Sequence, residues 1–204
     1  MTATAPGRRE HRLRPREAVG LVRRARPADA VPLARADVQA WRETYPGIVP
    51  QRFLDRLDPA ARARYWRGAL GAARGPAESA VFVAEMPGQG IVGFGACGDE
   101  RVGLPDTDGE FHALYLLKVA QDLGLGRRLM QAMARELVLR GARAVSVWTL
   151  RDNRRARAFY EKLGGRLLAE RPLDFDGTPV WEVGYGWPDV RAMLGPAADE
   201  EAPR

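Results

Sequence analysis

The segment Gln121-Asp122-Leu123-Gly124-Leu125-Gly126-Arg127-Arg128 decides how this chain is read. The apolar run Ala113-Leu114-Tyr115-Leu116-Leu117 leads into it, and an amphipathic segment from Leu129 to Arg140 leads out. That succession is a strand, a glycine-bearing turn and a helix N-terminus. Such a junction aims unpaired backbone N–H groups and the positive end of a helix dipole at one point, which suits an anionic group such as a phosphate. The two glycines let a ligand approach the backbone without meeting a Cβ. A Walker A loop requires Lys-Ser or Lys-Thr after its last glycine, where Arg127-Arg128 stand instead. A dinucleotide fingerprint requires a third glycine near Leu129 and an acidic residue on a later strand. Neither pattern is met.

Outward from this segment, apolar periodicity and turn residues mark the elements. A strand is expected over Val19 to Arg24, and Arg26-Pro27-Ala28-Asp29 then caps a helix from Ala30 to about Tyr45, with Val31, Ala34, Val38, Trp41 and Tyr45 at helical spacing. Pro50 opens a short helix and Asp58-Pro59 a third that runs toward Leu70. After the Gly71 to Pro76 loop, Ala80–Glu85 and Ile91–Cys97 read as an antiparallel hairpin joined by Pro87-Gly88-Gln89-Gly90. Glu110 to Leu117 is the strand entering the glycine turn. In the helix beyond it Leu125, Leu129, Met133 and Leu137 share a face, and Gly141 ends it. The strand Ala144–Leu150 follows after a crossover and is expected parallel to Glu110–Leu117. A helix from Arg154 to Leu163, capped by Asp152 or Asn153, and strands Arg166–Ala169 and Pro179–Tyr185 complete the domain.

At 204 residues, 46% of them hydrophobic, the chain can bury one good core. Residues 1–17 are rich in Arg, Pro and Ala and read as a disordered basic tail, 18–188 as the domain, and 189–204 as a frayed end. No apolar h-region follows the first residues and no stretch reaches the length of a membrane helix, so a cytoplasmic protein without membrane contact is expected. Cys97 is the single cysteine, which excludes an internal disulfide framework and a cysteine-based zinc site; no metal is expected. The net charge of +6 is carried almost wholly by arginine, Lys118 and Lys162 being the lysines. No nucleic-acid module motif accompanies it, and no nucleic-acid partner is expected. A polyanionic ligand would benefit from the same field.

A second motif stands downstream: Asn153-x-x-Ala156-x-x-Phe159-Tyr160-Glu161-x-Leu163-Gly164. On its own it is an apolar helix face that docks on a sheet. Together with the Gln121-x-x-Gly124-x-Gly126 loop and the order of elements, it resembles the GNAT superfamily of N-acetyltransferases, over roughly Val19 to Tyr185. The resemblance implies an α/β (α+β) domain with a mixed central sheet of about six to seven strands, helices on both faces, and strands splayed at the acetyl-CoA loop. It departs from the usual pattern at Asp122, where many members carry glycine, and at Lys118, often proline.

The resemblance further implies an enzyme that uses acetyl-CoA as co-substrate. The loop residues Gln121, Asp122, Leu123, Gly124, Leu125, Gly126, Arg127 and Arg128 would hold its pyrophosphate, with Asn153, Ala156 and Phe159 on the next helix. The backbone N–H of Leu116 or Leu117 would stabilise the oxyanion. Tyr160 resembles the general acid that protonates the CoA sulfur, a buried phenol bonded to backbone being its competing reading. An alkylamine is mostly protonated at neutral pH, so a base is needed. Glu110 resembles the acidic base of some members by its spacing to the loop, and competes with a plain solvated strand end. His112, two residues on and so on the same face, is the other candidate. Trp41 and Tyr45 lie in the segment that lines the acceptor site in the family. A small-molecule primary amine is the first expectation for the acceptor. Peptide or protein amines are the second, and a non-catalytic acyl-CoA sensor the third. A homodimer is compatible with the resemblance.

Overall fold

The computed structural model describes residues 20–71 and 79–194; the basic tail, most of the 71–76 loop and the last ten residues lie outside them. The chain forms β1 (Leu21–Arg24), α1 (Ala30–Thr44), α2 (Gln51–Asp55), α3 (Pro59–Gly71), β2 (Ala80–Met86), β3 (Gly90–Asp99), β4 (Gly109–Leu116), α4 (Leu125–Leu139), β5 (Val145–Leu150), α5 (Arg154–Lys162), β6 (Arg166–Phe175) and β7 (Thr178–Trp187). Local chemistry sets several boundaries. The Asp58 carboxylate accepts the N–H groups of Ala60 and Ala61 at 2.9 and 3.0 Å and so starts α3. Asn153 caps α5 by accepting from the Ala156 N–H at 3.1 Å.

The strands form one seven-stranded sheet in the order β1-β2-β3-β4-β5-β7-β6. Only β4 and β5 run parallel; the other pairs are antiparallel. One face is covered by α4, whose Leu129, Met130, Met133 and Leu137 are buried, and by Tyr160 of α5. The opposite face is covered by α1 and α3, with Leu33, Ala34 and Trp66 set against Val83 and Phe94. This is the expected mixed architecture with helices on both sides.

Two details differ from the sequence reading. Strand β6 continues past Ala169 to Phe175, through Pro172, which an edge strand tolerates because its outer side makes no ladder bonds. Residues 189–194, expected to fray, begin with a 3-10 turn at Val190–Met193. Val190 is fully buried in the core that includes Met133 and Leu137, and its N–H donates to the Arg143 carbonyl.

A third feature positions the site. In the β3–β4 ladder Ala96 pairs with Ala113 and Cys97 with Phe111, so His112 is an extra residue on β4. Without the bulge, alternation would put Phe111 and Tyr115 on one face. With it, Phe111 and Leu114 both face α4, while Ala113 and Tyr115 turn toward α1 and α3.

Candidate active site

Strands β4 and β5 pair only at Gly109–Phe111 with Val145–Val147. Beyond that point β4 runs on to Leu116 and β5 to Leu150 without bonding each other, and a wedge opens between them. The ladder decides which groups face it. The Leu117 N–H donates to the Val92 carbonyl at 2.8 Å, so Tyr115 and Ala113 are likewise bonded to β3. Leu114 and Leu116 therefore turn their N–H groups away from β3 and into the wedge. The Leu116 carbonyl, on that same side, accepts from the Gln121 side chain at 3.1 Å, which ties the glycine turn to the strand.

The wedge is part of a groove of about 610 Å³ that the glycine turn, α5 and the end of α1 also line. At its rim the first intrahelical bond of α4 is Arg128 N–H to Gly124 O, which leaves the N–H groups of Leu125, Gly126 and Arg127 without helical acceptors. The two glycines have different jobs. Gly124 has φ +80°, a left-handed conformation, with open space where a Cβ would stand. At Gly126 a Cβ would come within 3.2 Å of Leu116 Cδ1 and 3.4 Å of Phe159 Cζ, so this glycine lets α4 pack tightly between β4 and α5. Asp122 is also left-handed, at φ 62°, a conformation that aspartate tolerates better than most residues. Its exposed carboxylate pairs with Arg155 at 2.7 Å, bridging the turn to the start of α5. Lys118, Arg127, Arg155 and Lys162 all line the groove, so both lysines of the chain are found there.

At the floor stand three phenols. The Tyr45 and Tyr115 hydroxyls are 3.3 Å apart, and the Asn153 side chain lies beside Tyr45. Tyr160 is 4% exposed, and its hydroxyl has no hydrogen-bond partner among the described residues. Burial raises the pKa of all three, most strongly at Tyr115, so each holds its proton through the neutral range. The Trp148 indole on β5 also lines this region, and its buried Nε1–H has no hydrogen-bond partner among the described residues.

Comparison with known proteins places the chain in a family. A family model described as the Acetyltransferase (GNAT) family matches residues 38–165. The chain belongs to the GNAT family. Its relatives include YuaI, an uncharacterized N-acetyltransferase of Bacillus subtilis, 31% identical over 84% of this chain and 95% of that protein. A second is Rv2775 of Mycobacterium tuberculosis, described as a probable N-acetyltransferase, 28% identical over 80% of this chain and 91% of its own. Among solved structures, the Salmonella typhimurium protein yncA with its cofactor acetyl-CoA has a TM-score of 0.59 at 19% identity, covering 82% of this chain and 92% of that one. PaiA N-acetyltransferase of Thermoplasma acidophilum in complex with coenzyme A has a TM-score of 0.64 at 16% identity, covering 82% and 99%. GNAT membership carries the class of activity, acetyl-CoA-dependent acyl transfer.

Of the residues singled out from the GNAT motifs, Tyr45, Leu116, Gln121, Asp122, Gly124, Gly126, Arg127, Asn153, Ala156, Phe159 and Tyr160 line the groove together. Others do not. Leu125 is buried in the core beneath the turn and offers only its N–H, while Leu123 is exposed outside the groove lining. The Arg128 guanidinium donates to the Gly20 carbonyl at 2.7 Å and ties α4 to the approach to β1. The Leu117 N–H is committed to β3, which leaves Leu114, unsuspected from sequence, alongside Leu116.

The two candidate bases differ most from expectation. Glu110 sits in the closed, paired part of β4, 2% exposed and outside the groove lining. Its carboxylate accepts from the Arg101 backbone N–H and Nε at 3.1 Å and from Nη2 at 2.5 Å. His112 borders the groove with both ring nitrogens engaged, Nδ1 at 2.9 Å from the Ser79 hydroxyl and Nε2 at 3.0 Å from the Asp99 carbonyl. The carbonyl can only accept, so Nε2 carries the proton and Nδ1 accepts from Ser79. Burial also lowers its basicity. Trp41 stacks on Tyr115 with ring centroids 5.9 Å apart and lines a separate cavity behind the wedge. Tyr115 itself went unnoticed in its apolar run, because its face is set by the bulge.

Proposed function

We propose that the chain moves the acetyl group of acetyl-CoA directly to a primary amine of a small molecule, with both substrates bound at once. The observation that carries this reading is the wedge, where the outward-turned N–H groups of Leu114 and Leu116 share a groove with the Tyr160 phenol, which has no hydrogen-bond partner among the described residues. The thioester and amide carbonyls of acetyl-CoA can continue the β4 ladder there, and the phosphates suit the free N–H groups of Leu125, Gly126 and Arg127 among four cationic side chains. The complexes of yncA with acetyl-CoA and of PaiA with coenzyme A support the same ligand.

In the reaction the amine nitrogen bonds to the thioester carbon as the carbon–sulfur bond breaks. A strand N–H stabilises the charge that develops on the carbonyl oxygen. Tyr160 gives its proton to the departing thiolate, and the amine's surplus proton leaves to water. Glu110 and His112 offer no uncommitted basic atom to the groove, whereas the Tyr45–Tyr115 hydroxyl pair lies on the acceptor side and can relay a proton to water. A small acceptor is favoured because α2 is strapped to the β6–β7 turn. Arg52 Nη2 donates to the Asp176 carbonyl at 2.6 Å, and Arg56 pairs with the Asp176 carboxylate at 2.5 Å. A peptide entering from that side would have to break the strap.

Thiol release from acetyl-CoA, measured across small primary amines and peptides with free N-termini, tests the reading. Small amines are expected to turn over and peptides not. Turnover confined to peptides, or acetyl-CoA binding without turnover of anything, refutes it.

A further inference from the structure

Behind the wedge, between α1, α3 and the sheet, lies a second cavity of about 500 Å³. It meets the groove at His112, Ala113 and Tyr115, which line both. Its walls include Trp41, Trp66, Phe94 and Tyr115, and among them stands Asp37 of α1, 2% exposed. A carboxylate in such a place is costly unless its charge is met. Trp66 Nε1 donates to Oδ2 at 3.0 Å, and Arg62 Nε stands 3.4 Å from the same oxygen with its side chain one-third exposed. Oδ1 has no partner among the described residues. Burial outweighs these two partners and raises the carboxyl's pKa, so the anion is under-compensated as it stands. The other charge on the wall, Arg101, is already held by Glu110. What is lacking is a compact cation at Oδ1, and the aromatic faces around it favour one too.

The nitrogen that attacks the thioester must be neutral, so it is not the one that stays at Asp37. The helix geometry agrees: Asp37 precedes the groove-lining Tyr45 by eight residues, about 12 Å along the axis. We propose that Asp37 anchors a second, protonated amino group of the acceptor, so that the preferred substrate is an aliphatic diamine or polyamine whose far end occupies this cavity. The inference rests on the small-amine reading above and sharpens it.

Three acceptors of equal chain length separate the alternatives: hexanediamine, hexylamine and aminohexanoate, with a cation, a methyl and an anion at the far end. Hexanediamine is expected to exceed hexylamine in kcat/KM by at least about tenfold, as a charge-assisted hydrogen bond provides, with aminohexanoate lowest. Asp37→Asn keeps an oxygen for Trp66 and should bring the first ratio to about one, with the acetyl-CoA Kd as the control for folding. The thermal upshift of the wild-type protein by hexanediamine against hexylamine reads the same preference without any variant. Equal rates and equal upshifts for hexanediamine and hexylamine, a preference for aminohexanoate, or a ratio that survives in Asp37→Asn overturns the role of Asp37 alone. Acetylation of none of the three removes the small-amine reading and this inference together.

Discussion

Tyr160→Phe separates chemistry from packing more cleanly than any other substitution here, because the hydroxyl it removes has no protein partner among the described residues. The ring keeps its contacts with Tyr185 and Trp187, whose centroids are each 6.1 Å away. No hydrogen bond is lost and no donor is orphaned, so stability should change by less than about 0.5 kcal/mol, a melting shift of roughly 1–2 °C for a chain of this size. The acid role predicts a much larger effect on rate. Proton delivery is worth about 10² to 10⁴ in kcat, or roughly 3–5 kcal/mol of barrier. Burial makes Tyr160 a weaker acid than a free phenol, but the same dry pocket penalises the thiolate that receives the proton. The assay is thiol release at saturating acetyl-CoA and amine, alongside a melting curve and the acetyl-CoA Kd. The expected result is a kcat lower by two orders of magnitude or more, with folding and Kd nearly unaltered. An unchanged kcat refutes the reasoning, as does a melting loss large enough to show that the hydroxyl was holding structure.

Three further outcomes follow from the geometry. Glu110→Gln exchanges a buried carboxylate that takes three Arg101 donors for an amide that can meet fewer; it should cost about 2–4 kcal/mol, lowering the melting point by roughly 5–15 °C, while the pH profile of kcat/KM superimposes on wild type. A profile that loses its acidic limb would show that Glu110 reaches the amine through water after all. Asp122→Gly places the residue suited to φ 62° in the turn and removes an anion from the rim of the groove, so KM for acetyl-CoA should fall, most visibly at low salt; a rise would mean that the Arg155 pair shapes the turn. Burial pushes the Cys97 thiol up to about 12 from an ordinary 9.0, so the folded state holds this proton more tightly than the unfolded state. Its contribution is complete below pH 9.0 and is lost as pH rises toward 12, at about 1.4 kcal/mol per pH unit. Urea midpoints measured across this range should therefore fall less steeply in Cys97→Ala, and parallel slopes would contradict the assignment.

Much of the architecture was legible because its signals are local. The succession of twelve elements follows from apolar periodicity and from turn and cap residues such as Asp58, Asn153 and Gly141, whose effects reach only a few positions. The Gln121 to Gly126 turn and the Asn153 to Leu163 helix were equally readable, and their residues do meet in one groove. The oddity at Asp122 became intelligible once its left-handed backbone was seen.

What sequence could not supply is the register of strands distant in the chain. A period of two puts Phe111 and Tyr115 on one face; the bulge at His112 sends Tyr115 to the other, where it meets Tyr45, seventy residues earlier. Register likewise turned the N–H groups of Leu114 and Leu116 into the wedge and committed that of Leu117 to Val92. The partners of the two expected bases were hidden for the same reason, since Arg101, Ser79 and Asp99 come to Glu110 and His112 only across the folded sheet. By itself, then, the sequence determined the elements, their order and the glycine turn, because backbone propensity acts over a few residues. The tertiary structure alone decided which polar atoms remain free in the wedge, because a hydrogen bond is spent or spared by whichever partner the fold brings within reach.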